Sequence, residues 1–275
     1  MYKHYLLSLV AALFLPLSAH AGIFSITLDY DADGDGTDNV DAIYQSVFDD
    51  ALDFWESVII GTQDNIDVNL VIDAEVAAID GNFGILGSAT NFRAGAESPT
   101  SDYLYAIEGF MNFDSADVNR LNNDGSLYEL ILHEMAHVIG FGTLWNADRY
   151  GLSGQFQDIY TDGSGQYTGA YALSIYEDTF NTNDGYIPIE LDGGSGTADA
   201  HWDEGWEAGS GEIMTGYLAS TTFISDITLA SFADIGYIVE LSDETILGAS
   251  FSEVSSPTSA ALGLLTLAFI LLRRK

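Results

Sequence analysis

A segment with two histidines four residues apart, His133 and His137, constrains the fold of this 275-residue chain most strongly. We predict a helix over 126–139, because Ser126-x-x-Glu129 has the spacing of a capping box and Gly140 is well placed to end a helix. On a helix, residues four apart lie on one face, one turn apart. The two imidazoles therefore point the same way and can share a metal ion.

Glu134 stands directly after the first of these histidines. Two histidines at this spacing can bind zinc, and a carboxylate between them can take a proton from a water that zinc activates. A helix can also carry such a pattern with no metal. The apolar, capped segment favours the metal site, with His133 and His137 as ligands and Glu134 as the catalytic base.

A catalytic zinc ion needs a third protein ligand. Of the five histidines, His4 and His20 lie in a predicted signal peptide, so the mature chain offers one more, His201. Carboxylates are the next candidates, and the chemistry alone leaves Glu190 and Asp203 open.

The amino-terminal residues have the pattern of a secretory signal peptide. Residues 5–17 are almost wholly apolar, and Ala19-His20-Ala21 is a small-x-small cleavage pattern. We predict a signal peptide over 1–21. The alternative is an uncleaved anchor, but the apolar run is short against the roughly 20 residues of a membrane span.

The carboxyl-terminal residues 254–275 combine a short Pro motif, an apolar stretch over 260–272 and the basic end Arg273-Arg274-Lys275. This layout resembles the PEP-CTERM sorting signals of bacteria, although Ser255-Ser256-Pro257 stands where those signals have Pro-Glu-Pro. The resemblance implies a membrane sorting protease as a partner and a secreted or surface-attached product, with a Gram-negative source. A permanent anchor is the rival interpretation.

Composition excludes several kinds of site and partner. The chain has no cysteine, which rules out disulfides, cysteine zinc sites and a thiol nucleophile. Residues 22–253 hold all 42 acidic residues and only three cations, Arg93, Arg120 and Arg149. Nucleic acid is repelled by such a surface, whereas cations are attracted. The simpler interpretation of the charge is solubility outside the cell.

The apolar periodicity predicts an α+β fold. The predicted strands cover 24–28, 66–72, 103–113 and 237–240, and the predicted helices cover 38–59, 126–139, 169–178 and 226–235. Glycine-rich stretches fill 81–100, which also holds short strand-like pieces such as 84–87, and much of 146–200. We predict one domain over 22–253, with subdomains over about 22–142 and 143–245.

The segment from His133 to Gly142 resembles the metzincin zinc peptidases, whose short motif ends in a histidine where this chain has Thr143. The leishmanolysin family places a long insertion before that histidine. Here Ala200-His201-Trp202 follows after such an insertion, and Glu212-Ile-Met214-Thr-Gly216 is similar to the family's Met-turn.

The resemblance implies a fold, a site and an activity. The fold is a metzincin-like α+β protease with a twisted mixed sheet and two long helices in the first subdomain, a loop-rich second subdomain and an active-site cleft between them. Zinc is held by His133, His137 and His201, with Glu134 as general base and Met214 packed beneath the metal. A protein or peptide substrate lies along an edge strand of the first subdomain.

Asp31, Asp33 and Asp35 match the first half of a calcium-binding EF-hand loop, with Gly36 at the tight turn. The twelfth position needs Glu and holds Ala42, so a true EF-hand is excluded. Calcium bound in another geometry and a plain Asp/Gly turn that caps the next helix both remain open.

Three functions fit these observations. The first is a secreted or cell-surface zinc endopeptidase. The second is a non-enzymatic acidic surface or matrix protein braced by zinc and calcium, and the third is a zinc hydrolase with a different substrate. Glu134 favours the endopeptidase over the scaffold, because metal binding alone does not need it.

Overall fold

A computed structural model describes residues 22–96, 101–152 and 154–248. The helices in these ranges are α1 (Ala42–Val58), α2 (Val118–Asp124), α3 (Leu127–Ile139), α4 (Ala170–Phe180) and α5 (Asp226–Asp234), with a short 3-10 turn at Asp148–Tyr150. The strands are β1 (Phe24–Asp29), β2 (Ile59–Thr62), β3 (Val68–Ala77), β4 (Gly87–Gly95), β5 (Tyr105–Asp114), β6 (Gln166–Tyr167), β7 (Ile187–Pro188), β8 (Tyr237–Glu240) and β9 (Ile246–Leu247). None of these helices is long and apolar enough to cross a membrane. The predicted signal peptide 1–21 and sorting segment 254–275 lie outside the described residues.

The largest sheet has four strands in the order β1-β3-β5-β4. Strands β1, β3 and β5 are parallel, and β4 is antiparallel to β5. Along β3 the buried residues alternate: Val68, Leu70, Ile72 and Ala74 face the core, and the residues between them face outwards. This period of two is that of a strand with one covered face. The sheet is mixed, as predicted, and β4 is the last strand on one side.

Helices α1 and α3 pack together in the core beside this sheet. Helix α1 buries Phe48, Ala51 and Trp55, whose spacing of three and four residues places them on one face. The indole Nε1 of Trp55 donates a hydrogen bond to the carbonyl of Leu132 at 3.2 Å. That bond ties α1 to the turn of α3 directly before His133.

The helix starts differ in part from the prediction. Helix α1 begins at Ala42 and not at 38, because the Asp41 side chain accepts a hydrogen bond from the amide of Ile43 and caps the helix there. The predicted capping box of α3 is wrong. Ser126 makes no side-chain cap and donates its hydroxyl proton to Asp124 instead, since α2 ends immediately before it.

Gly140 ends α3, as predicted, with a φ of 148° that other residues rarely adopt. A side chain there would meet Ile235 and Leu144 at once, at 2.5 and 3.1 Å from its Cβ. The chain therefore leaves the helix sharply just after His137.

Helices α4 and α5 are joined through one buried carboxylate, Asp234. Its oxygens accept hydrogen bonds from the amides of Tyr171 at 2.7 Å and Ala172 at 3.0 Å, and from the hydroxyl of Tyr167 at 2.9 Å. The first two bonds satisfy free amides at the start of α4, whose own N-cap position is a glycine. Burial raises the pKa of Asp234 to about 6, and these bonds oppose the rise.

The last strand of the core returns to the first half of the chain. Strand β8 pairs antiparallel with β2, and the hydroxyl of Tyr237 donates to the carbonyl of Ile139 at 3.0 Å, at the end of α3. The described residues therefore form a mixed α/β structure with five helices and a mixed sheet, which is compatible with the predicted metzincin-like class. The division into two subdomains stays a prediction.

Candidate metal centre

Helix α3 presents His133, Glu134 and His137 within one turn. Glu134 and His137 are each only 5% exposed, and His133 is partly buried. Almost every other residue from Leu130 to Ile139 is buried as well, so α3 lies inside the fold and not on its surface. Polar side chains in such a helix need partners, and the two histidines of this turn point to a shared centre.

The third histidine, His201, comes from a segment held by short backbone pairings. Its carbonyl accepts from the amide of Glu190 at 2.9 Å, and the next amide, that of Trp202, donates to the carbonyl of Met214 at 3.0 Å. The Nε2 atoms of the three histidines form a nearly equilateral triangle with sides of 3.1, 3.1 and 3.0 Å.

Each imidazole is oriented through its other nitrogen. The Nδ1 of His133 lies 2.6 Å from the carbonyl oxygen of Ile213, that of His137 3.0 Å from Phe141, and that of His201 2.8 Å from Thr197. A carbonyl oxygen can only accept, so each Nδ1 carries the proton and each Nε2 is left with a lone pair.

Three lone pairs that converge at about 3 Å repel one another unless a cation lies between them. Zinc binds imidazole nitrogen at about 2.0–2.1 Å, and an ion just above the triangle can reach all three atoms. The backbone carbonyls are the outer partners that metal-binding histidines usually have. The residues present therefore fit a zinc ion, and within the described part of the chain no fourth histidine, aspartate or glutamate joins the group.

Burial keeps these histidines neutral. It lowers the pKa of His201 to about 3, with a further contribution from His133, and it lowers the pKa of His133 and of His137 as well. A neutral imidazole is the form that binds a metal.

Glu134 lies next to Gly87, a glycine to which the sequence analysis assigned no role. A Cβ placed on Gly87, the first residue of β4, would lie 2.9 Å from Oε1 of Glu134. Burial raises the pKa of Glu134 to about 8. The absence of a side chain at Gly87 leaves room for this carboxylate, and the only signal in the sequence was the glycine-rich stretch around it.

The Met-turn segment lies against the histidines. Met214 is fully buried, and the preceding residue supplies the carbonyl that orients His133. Thr143, where the short metzincin motif has its third histidine, donates its hydroxyl proton to the carbonyl of His137 at 2.6 Å. It satisfies a carbonyl in the last turn of α3 and does not belong to the three-histidine group. Neither do Glu190 and Asp203, the alternatives to His201.

The carboxylates of Asp31, Asp33 and Asp35 also lie together, with oxygens within 4.8 Å of one another. They accept hydrogen bonds from nearby backbone amides, such as Asp31 from Gly36 at 3.1 Å and Asp35 from Thr37 at 2.8 Å. These bonds account for the loop without an ion. Calcium binding stays a prediction of the sequence.

The mixed α/β fold is compatible with a zinc metallopeptidase, and the three-histidine cluster could hold the metal of one. The model of the leishmanolysin peptidase family matches residues 100–250, more than half of the chain. The chain therefore belongs to the leishmanolysin family. None of the curated proteins compared with it gives a significant match.

Proposed function

We propose that this protein is a zinc-dependent endopeptidase whose metal is held by His133, His137 and His201. The observation that carries the proposal is the triangle of unprotonated Nε2 atoms, with the buried Glu134 directly after His133 on α3. A purely structural zinc site is usually closed by four protein ligands. The described residues supply three in this group, which leaves a position for water and substrate.

Zinc bound there supplies a Lewis acid that polarises the scissile carbonyl and makes a water more acidic. Glu134 takes a proton from the attacking water and delivers it to the leaving amine. The apolar surroundings of α3 exclude bulk water from this exchange.

Strand β4 is our proposed support for the substrate. It is the last strand on one side of the sheet, and its first residue, Gly87, adjoins Glu134. An extended peptide that pairs with β4 would run beside α3 towards the metal centre. Main-chain pairing of this kind is compatible with many sequences, so we expect cleavage of unfolded proteins.

Cleavage products test the function directly. We expect the purified protein, stripped by a chelator and reloaded with one zinc ion, to generate new amino termini from casein, detected by mass spectrometry. The stripped sample is the control. Zinc uptake without new termini, from casein and from a broad peptide library, contradicts the proposal.

The room at Gly87 leads to a prediction. Gly87→Ala displaces the Glu134 carboxylate without touching a histidine, so kcat falls between about 10- and 100-fold while zinc content is unchanged. Gly95→Ala, at the other end of β4, is the matched control, because its Cβ also meets only the tip of a side chain, Ile107. Equal activities of the two variants would contradict the role given to Gly87.

Zinc affinity should fall with acidity on a one-proton slope at most, and not on the three-proton slope of three ordinary histidines. Burial lowers the pKa of all three histidines, that of His201 to about 3, so the imidazoles are neutral at neutral pH and zinc displaces no proton from them there. Glu134, protonated below about 8, releases at most one proton when a cation arrives. Between pH 8 and 5 we expect the affinity to fall by at most about tenfold per pH unit. Competition with a chromophoric chelator measures this slope, and a slope near three protons below pH 6.5 would contradict it.

The proposed site of action is outside the cell or at its surface. This location is supported by the signal pattern over 1–21 and the sorting pattern over 254–275. A membrane sorting protease is the partner that these patterns imply.

A further inference from the structure

Glu212 is a buried carboxylate that the reaction does not use directly. It is 1% exposed, and both its oxygens face hydrogen-bond donors. Oε2 accepts from the amide of Met214 at 2.7 Å, and Oε1 accepts from the amide and hydroxyl of Ser225, each at 3.0 Å, and from the hydroxyl of Thr228. A carboxylate satisfies all four donors, whereas an amide would set an N–H group against one of them.

One side of this carboxylate leads to His133. Its Oε2 holds the amide of Met214, and the residue between them, Ile213, points its carbonyl at Nδ1 of His133 at 2.6 Å. The Glu212 carboxylate thus stabilises the turn from Glu212 to Met214 by accepting the hydrogen bond of the Met214 amide. The direction of the Ile213 carbonyl, and with it the plane of the His133 ring, depends on this hydrogen bond.

The other side leads to His201. The hydroxyl of Thr228 gives its proton to Glu212 and accepts the indole N–H of Trp202 at 2.8 Å. The backbone amide of Trp202 donates to Met214 at 3.0 Å, so the residue after His201 is held at both its ring and its backbone. Glu212 therefore connects, through short chains of hydrogen bonds, to two of the three histidines on different elements.

We propose that Glu212 is a positioning residue that holds the rings of His133 and His201 in the orientation zinc requires. The inference rests on the proposed zinc site, and it adds a residue that touches neither metal nor substrate. A buried carboxylate is costly without partners, and the four donors satisfy this one and hold it in place.

The experiment compares two variants of the full chain, Glu212→Gln and Asp234→Asn. Asp234 is the matched control: it is also a buried carboxylate that accepts backbone and hydroxyl bonds, but it joins α4 to α5 and not the Met-turn. Each variant is measured for zinc Kd by chelator competition, for the visible absorption of bound Co²⁺, and for thermal unfolding without metal.

We expect Glu212→Gln to weaken zinc binding by about 10-fold or more and to change the Co²⁺ spectrum, whereas Asp234→Asn unfolds at lower temperature with Kd and spectrum close to wild type. Equal changes in both variants, or none in either, would overturn the inference. If Glu212→Gln does not fold, Thr228→Val decides, since it removes the hydroxyl that connects Glu212 to Trp202 and leaves the other three donors of Glu212 in place. A weaker Kd supports the inference and an unchanged one overturns it. A wild type that fails to bind zinc refutes the proposed function instead.

Discussion

Glu134→Gln is expected to leave zinc in place and to reduce casein hydrolysis by about 10²–10⁴-fold, the usual contribution of a general base. The amide fills the same space beside Gly87 but cannot accept a proton from water. The three histidines are untouched, so zinc stoichiometry by elemental analysis should equal that of the wild type. Initial rates on casein, with zinc measured on the same samples, separate the chemical step from metal loss.

Glu129→Gln is the matched control for this change. Glu129 lies on the same helix, one turn before His133, and is partly exposed. The same loss of charge there should leave both rate and zinc content near wild type. Hydrolysis by Glu134→Gln at a rate close to wild type would remove Glu134 from the mechanism and turn the search to another base.

His201→Ala should abolish both activity and tight zinc binding. Removal of one of three ligands costs more than loss of an outer-shell partner, so we expect Kd to rise by more than about 100-fold. The remaining pair, His133 and His137, still lies 3.1 Å apart and can retain weak binding. Isothermal titration with zinc measures the change.

Tyr217→Ala is the control for His201→Ala, because Tyr217 follows the Met-turn, is 67% exposed and has no role in the proposed site. It should bind zinc as the wild type does. If His201→Ala kept wild-type affinity, a carboxylate such as Glu190 or Asp203 would have to be the third ligand, and the geometry described above would need another explanation.

The elements with strong periodicity could be predicted from the sequence. Helix α3 was expected over 126–139 and lies at Leu127–Ile139, and helix α5 was expected over 226–235 and lies at Asp226–Asp234. Helix α3 carries a long apolar pattern, whereas α5 is a short, largely apolar segment that is buried on all sides. Strand β5 was also placed almost correctly, since most of its aromatic and apolar residues are buried. The strand pairs with β3 on one side and β4 on the other.

Elements defined by partners rather than by pattern were missed or, for β4, predicted only as short strand-like pieces within 81–100. Strand β4 is rich in glycine and small polar residues and exists because β5 and α3 lie beside it. Strands β6, β7 and β9 have two residues each, too short for any periodicity. Ser126 matched a capping box by spacing alone. Its hydroxyl instead donates to Asp124, the last residue of α2, and α2 was not predicted.

The candidate site was predicted in its residues but not in its support. The spacing on α3 and the small number of histidines pointed to His133, His137 and His201, which lie together as a metal group. The carbonyls that fix the rings come from Phe141, Thr197 and Ile213, and a backbone acceptor leaves no trace in residue type. Asp234 likewise became meaningful only when the fold brought it to α4.

X-ray absorption at the zinc edge, recorded on the zinc-loaded protein with and without a small hydroxamate, tests the central claim most directly. We predict a first shell of three imidazole nitrogens and one further light atom, which the hydroxamate replaces with two oxygens. That result establishes three histidine ligands and an accessible catalytic position. A shell of four protein donors that the hydroxamate does not alter would contradict the claim and identify a zinc ion that only braces the fold.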